Sequence, residues 1–220
     1  MNRIDLVVFD MIGTTVEASP RIPQAFQSAF AGVGVTLQAH DVDSVRGKSK
    51  REAIAELLSR HGDAIEQSDQ VYDSFKSNLI DCYRDGPVKS IPGSESTFAW
   101  CRERDIHVAL TTGFDREVAG ILVEKLGWGE SIKTIVCNDD VACGRPAPDL
   151  IMMAMKQTQI IDVARVASVG DTISDLEAGV NAGTGINIGV LSGAHSREQL
   201  MTVPHTAIID SVADLPALLS

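Results

Sequence analysis

Val7-Val8-Phe9-Asp10-Met11-Ile12-Gly13-Thr14-Thr15 is the stretch on which the fold of this chain turns. An apolar run of this length near the N-terminus reads as a buried strand of a parallel sheet, and it ends in an acid followed by a glycine turn. Asp10 therefore stands where α/β proteins place their chemistry. Beyond the carboxyl ends of such strands a crevice opens, and an aspartate there serves as a nucleophile or a metal ligand. Two residues on, where a second acid would work as a proton shuttle, the chain has Ile12, which carries no proton.

Outward from this strand the pattern turns helical for about seventy residues. Ala25, Phe26, Ala29 and Phe30 form one apolar face, Ala53, Ile54, Leu57 and Leu58 a second, and Phe75, Leu79, Ile80 and Tyr83 a third. Faces at three- and four-residue spacing suit a small helical bundle. The turns Asp85-Gly86-Pro87 and Ile91-Pro92-Gly93 then return the chain to a second pattern, in which strand and helix alternate. Strands are expected over 106–110, 134–136, 166–169, 185–188 and 207–209, with helices running to 126 and beginning at 148, 173 and 211. Such alternation means βα units, a parallel sheet and right-handed crossovers. The expected fold is α/β, a doubly wound parallel sheet with an inserted helical cap: core 1–15 and 86–220, cap 16–85.

Bulk properties narrow the function. With 220 residues, 44% of them hydrophobic, the chain can bury one substantial core and a smaller satellite. There is no run of about 18 apolar residues, and Met1-Asn2-Arg3-Ile4-Asp5 leads into a strand, so a cytoplasmic protein with no membrane partner is expected. Cys82, Cys101, Cys137 and Cys143 show no CxxC spacing and read as scattered small hydrophobes. A net charge of −11 argues against nucleic acid as a partner. An anionic small substrate would need a local basic cluster, and Arg46-Gly47-Lys48-Ser49-Lys50-Arg51 provides one.

Four expected strand ends carry residues suited to one phosphoryl site. Asp10 ends the first. Thr111-Thr112-Gly113 ends the next, where a hydroxyl and backbone N–H groups at a helix start make an anion cradle. Gly144-Arg145-Pro146 follows the third and offers Arg145 as a planar cation for phosphate oxygens. Gly170-Asp171-Thr172-Ile173-Ser174-Asp175 ends the fourth with two acids one helical turn apart. Asp10 and Asp171, with the carbonyl of Ile12 and waters, would give Mg²⁺ the hard oxygen shell it requires.

In their order and placement these motifs resemble those of the haloacid dehalogenase-like superfamily along essentially the whole core. The resemblance implies that Asp10 attacks phosphorus, that a hydroxyl residue and Arg145 hold the phosphoryl group, and that Asp171 and Asp175 help hold Mg²⁺. Within the superfamily most phosphatases have a second aspartate at the position of Ile12 and a lysine at that of Arg145. The phosphonoacetaldehyde hydrolase branch has a small apolar residue and an arginine there, and this chain is similar to it. Gly13-Thr14-Thr15, Thr111-Thr112-Gly113 and Asn181-Ala182-Gly183 extend the similarity. In that branch a cap lysine three residues after a glycine forms a Schiff base with an aldehyde, which makes Lys50 the candidate, after Gly47. The branch also has a methionine, a histidine and a tyrosine where this chain has Arg46, Ala53 and Phe114.

The cluster suits that role, since Arg46, Lys48 and Arg51 would lower the pKa of Lys50 and leave more of it neutral and nucleophilic. The expected activity is Mg²⁺-dependent hydrolysis of a small phosphorylated or phosphonate metabolite through an aspartyl-phosphate. Lys48 or Lys50 would supply the proton that Ile12 cannot. Two alternatives remain open: a dehalogenase acting on a small haloacid, and a catalytically silent protein that binds a phosphorylated ligand. Homodimer formation through the cap helices is a further option that the resemblance raises. Gly183-Thr184-Gly185 does not indicate a nicotinamide site, because it precedes a late strand rather than following the first. The five histidines fall outside the motifs, with surface or capping roles expected.

Overall fold

The computed structural model describes residues 3–18, 21–61 and 64–220. Met1 and Asn2, and positions 19–20 and 62–63 of the inserted segment, lie outside the described residues. The first strand, β1 (Leu6–Asp10), is buried along its whole length. Its alternate side chains enter two different layers. Val7 and Phe9 belong to the larger core with Phe98 and Trp128, whereas Leu6 and Val8 pack with Leu150, Ile151, Ala154 and Met155. Phe9 meets Phe98 edge-on at 5.5 Å between ring centroids, and Phe98 meets Trp128 in the same way at 5.0 Å. Each such ring pair adds about 0.5–1.5 kcal/mol beyond the area it buries. A strand flanked on both faces is continuously apolar because it has no wet side.

The elements that follow are α1 (Arg21–Ala31), α2 (Ala39–Ser44), α3 (Lys50–Arg60), α4 (Ser68–Asp85), α5 (Ser94–Arg102), β2 (His107–Thr111), α6 (Arg116–Leu126), β3 (Thr134–Val136) and α7 (Asp149–Thr158). After them come β4 (Val166–Gly170), α8 (Ile173–Ala182), β5 (Ile186–Val190), α9 (Arg197–Leu200), β6 (Ala207–Ile209) and α10 (Leu215–Leu219). The six strands form one parallel sheet in the order β3-β2-β1-β4-β5-β6. The chain leaves β1 toward β2 on one side and returns to β4 on the other, so the strand order reverses beside β1. Ligands bind at such a switch point. In register, Asp10 stands opposite Thr111 and Phe9 opposite Val169, which brings three strand ends to one crevice.

Between β1 and β2, helices α1 to α4 pack on one another. Phe26 of α1 and Phe75 of α4 stack at 4.4 Å, and the apolar faces expected from the sequence are the buried ones. The two passages that join this unit to the sheet run side by side: Glu17 N–H donates to Lys89 O at 2.9 Å and Ile91 N–H to Thr15 O at 2.8 Å.

Several elements differ from expectation for local reasons. β2 and β5 start one residue later than expected; at Gly185 a side chain would meet Ala164 O at 2.0 Å, so the loop there presses on backbone. Gly183, left-handed at φ 74°, closes α8. The last helix begins at Leu215, preceded by a 3-10 turn over Val212–Asp214 that Ser211 caps. Helices α2, α5 and α9 were not expected; two are six residues or fewer, too short to show a period.

Candidate active site

Three carboxylates meet at the switch point. Asp10 ends β1, Asp171 follows β4, and Asp175 sits in the first turn of α8; their oxygens lie within 4.8 Å of one another, and all three residues are buried. The start of α8 explains why Asp175 is fixed. Thr172 is the N-cap, its hydroxyl accepts from Asp175 N–H at 3.2 Å, and Asp175 Oδ2 takes Thr172 N–H at 3.0 Å in return. Asp171 is held by Thr14 Oγ1 at 3.2 Å and Ala194 N–H at 2.7 Å. Gly13 and Gly193 crowd it so closely that a Cβ at either would fall 2.4 or 1.9 Å from Asp171 Oδ2. His195 Nδ1 accepts Ile173 N–H at 2.9 Å, a capping role at the same helix start.

A buried cation is in direct contact with this cluster. Arg145 Nη1 donates to Asp10 Oδ1 at 2.6 Å and also contacts Asp175 Oδ1. The pair of carboxylates raises the pKa of Arg145 against the effect of its burial. Burial pushes Asp10 up to about 6, with the charge of Asp175 adding to the rise and Arg145 opposing it. Asp171 is raised well above the carboxylate range by burial and by the charges of Asp10 and Asp175. One guanidinium cannot balance three buried carboxylates. Hard oxygen donors in excess of their counter-charge are what a divalent cation such as Mg²⁺ takes, so the residues present fit that ion.

The phosphate-facing residues expected from the second motif divide. Thr112 and Gly113 line the main cavity, and Thr112 Oγ1 accepts Phe114 N–H at 3.1 Å, which leaves its hydroxyl proton for a ligand. Thr111 does not join them; its hydroxyl lies 3.4 Å from Phe9 O and borders a small internal gap beside Val8 and Leu150. Alternation along a strand puts neighbours on opposite faces, so only one of two consecutive threonines can face the crevice.

The basic loop closes over the site from the helical unit. Gly47 has φ +81°, and a Cβ there would lie 2.5 Å from Thr172 Oγ1. A Cβ on Gly113 would lie 3.1 Å from Lys48 O, and one on Gly144 would lie 2.9 Å from Ser49 Cβ. Three core loops thus accept residues 47–49 at backbone distance. Ser49 then caps α3, taking Glu52 N–H at 3.3 Å, which sets Lys50 at the first position of the helix. Lys50 Nζ rests 3.4 Å from Lys48 O and 5.4 Å from the centroid of the Phe114 ring. Its pKa is lowered to about 8.

The direction matches the sequence expectation, but the cause is different. Burial is the largest contribution, followed by the positive charge of Arg145, with Arg46 adding to it and Asp10 and Asp175 opposing. Lys48 and Arg51 do not have the part expected of them. Lys48 is tied to Glu56 at 2.6 Å, and Arg51 is tied to Asp69 at 2.8 Å and lies over the Tyr72 ring at 3.9 Å. Neither is among the leading causes of the lowering.

Asp10, Ile12, Lys48, Lys50, Arg145, Asp171 and Asp175 all border one cavity of about 250 Å³. The clamp on Asp171 by residues 193–194 has no signal in the sequence beyond a glycine in a loop, and the contribution of Val42 in α2 and of Val45 just after it has none. All four cysteines are free. Among the described residues no helix is long and apolar enough to cross a membrane.

The profile of the haloacid dehalogenase-like hydrolases matches residues 4–183. The chain belongs to this family. It is a hydrolase, and its curated relatives narrow the branch. The phosphonoacetaldehyde hydrolase of Latilactobacillus sakei subsp. sakei (strain 23K) is 28% identical over 233 residues, spanning 98% of this chain and 87% of the relative. That of Bacillus cereus (strain B4264) is 30% identical over 224 residues, spanning 96% and 83%. Among solved structures, a phosphonoacetaldehyde hydrolase like protein from Oleispira antarctica superposes with a TM-score of 0.84 at 23% identity, covering 99% of this chain and 92% of its own. A hydrolase from Pseudomonas syringae gives 0.87 at 20% identity, covering 98% and 97%. These two likenesses speak for the fold.

Proposed function

We propose that this hydrolase is a Mg²⁺-dependent, phosphonatase-like phosphohydrolase of a small phosphorylated or phosphonate metabolite, with residues 16–85 as a cap over a core of 1–15 and 86–220. Lys50 Nζ, as the neutral amine, adds to the substrate's aldehyde or ketone, and water leaves with uptake of one proton from solvent, giving an iminium. Asp10 Oδ attacks phosphorus as the C–P bond breaks, and the bonding pair enters the iminium to give an enamine. Water then cleaves the aspartyl-phosphate, while protonation and hydrolysis of the enamine release the carbonyl product and restore Lys50. This route needs no acid at position 12, because the electron pair of the broken bond has a sink in the cap.

The Asp10, Asp171 and Asp175 carboxylates and the Ile12 carbonyl would hold Mg²⁺, which when bound supplies positive charge against phosphoryl oxygens and carboxylates alike. Arg145, between Asp10 and Asp175, is placed to turn a donor toward phosphoryl oxygens, and Thr112 with the Gly113 backbone faces the same space. The observation that carries the reading is that the Lys50 amine, lowered to about 8, and the Asp10 carboxylate border one cavity. The test is phosphate release from phosphonoacetaldehyde and from a panel of phosphate monoesters, with Mg²⁺ and with a chelator. Magnesium-dependent release is expected, and loss of the phosphonoacetaldehyde activity alone in Lys50→Ala. An inactive protein on both substrate sets, or an unaffected Lys50→Ala, would refute it.

A further inference from the structure

The cavity has two unlike halves. Its floor is the charged set described above. Beside the basic loop the helical unit contributes a hydrocarbon roof: Ile22, Pro23 and Phe26 from α1, Val42 from α2 and Val45 just after it, with Ile12 added from the core. Four cations border it, and three are already matched: Arg46 with Asp43 at 2.8 Å, Lys48 with Glu56, and Arg145 with Asp10 and Asp175. Lys50, facing the Phe114 ring, is the exception among the described residues.

This division selects against common phosphorylated metabolites. A sugar or polyol chain would press hydroxyls on the roof, and each stranded hydroxyl costs about tenfold in affinity. A second phosphate or a carboxylate at the far end would find no unpaired cation beyond Lys50. Size points the same way. An apolar cavity of about 150 Å³ takes benzene, so by proportion about 250 Å³ takes at most roughly ten non-hydrogen atoms, Mg²⁺ and its waters among them. A phosphono group uses about four of these, which leaves at most about six for the ion's shell and the organic part together, and the organic part of phosphonoacetaldehyde uses about three.

We infer that the substrate's organic part is an uncharged, hydrocarbon-rich chain of at most about six non-hydrogen atoms bearing the carbonyl, seated beside Phe26, Val42 and Val45. The inference rests on the phosphohydrolase reading for which end lies at Asp10. A homologous series of n-alkylphosphonates, from methyl to pentyl, tests it by calorimetric titration of the Mg²⁺-loaded protein. These compounds have no carbonyl and are not cleaved, so they report binding alone.

Affinity is expected to rise roughly fourfold per methylene, the equivalent of about 0.8 kcal/mol. Glycerol 3-phosphate and 2-carboxyethylphosphonate should bind at least about tenfold more weakly than n-propylphosphonate. In the near-isosteric Val45→Thr the pentyl-to-methyl affinity ratio should fall about threefold or more, whereas a rim effect unrelated to the roof would move all members alike. A flat series, or preference for the polyol or the carboxylate, overturns the inference even if phosphonoacetaldehyde yields phosphate. A rising series without phosphate release from any carbonyl phosphonate supports the apolar roof and overturns the phosphohydrolase reading instead.

Discussion

Replacing Lys50 by arginine keeps a positive charge at the cavity and removes an amine whose pKa is lowered to about 8. At pH 7 an amine of pKa about 8 is about 9% neutral, against about 0.03% for one at the ordinary 10.5, a gain of about 300-fold in nucleophile. An arginine is never neutral in this range, so it forfeits all of that gain. For phosphonoacetaldehyde, kcat/KM should fall by at least about 300-fold, or about 3.4 kcal/mol of transition-state stabilisation. The assay is phosphate release between pH 6 and 9.5. In the native enzyme log kcat/KM should climb with a slope near one and level near pH 8, because addition requires the deprotonated amine. A Lys50→Arg enzyme within tenfold of the native one, or a native profile flat between pH 6.5 and 8, would show that Lys50 acts as a charge and not as a nucleophile.

Three further outcomes follow from the same geometry. Ile12→Asp places a proton donor at the cavity edge, and hydrolysis of phosphate monoesters with poor leaving groups should rise about 100-fold, measured as phosphate release. Asp171→Asn removes one of three carboxylates, and calorimetric titration should find Mg²⁺ binding weakened by at least about 10–100-fold. The metal-free protein should respond to pH through Asp10. A carboxyl raised from 3.8 to about 6 on folding costs stability above pH 6 and returns it as the pH falls, so unfolding free energy should gain about 1 kcal/mol from this group between pH 7 and 5. Urea unfolding should show the gain in chelator and lose it in saturating Mg²⁺, where the carboxylates stay ionised at both pH values.

The strands were legible because each is an apolar run bounded by turn residues; 134–136 and 207–209 were read to the residue. Lys50, Asp10, Arg145, Asp171 and Asp175 were legible as motif positions, and the structure brings them to one cavity. What escaped the sequence reading was set by three-dimensional neighbours. Whether Thr111 or Thr112 faces the crevice depends on strand phase, which a one-residue shift in β2 reverses. The basic neighbours in sequence account for little of the lowering of Lys50: burial and Arg145, 95 positions away, have the larger effect, with Arg46 adding to it. The part of Val42 and Val45 in the roof was not legible because α2 is six residues long, Val45 lies just past its end, and two apolar residues set no period.

Borohydride reduction in the presence of phosphonoacetaldehyde tests the central claim most directly. If the Lys50 amine condenses with the substrate carbonyl, reduction should inactivate the enzyme and leave a two-carbon adduct on the peptide containing Lys50, absent without substrate and absent in Lys50→Arg. Turnover of phosphonoacetaldehyde with no adduct at Lys50 would contradict the account.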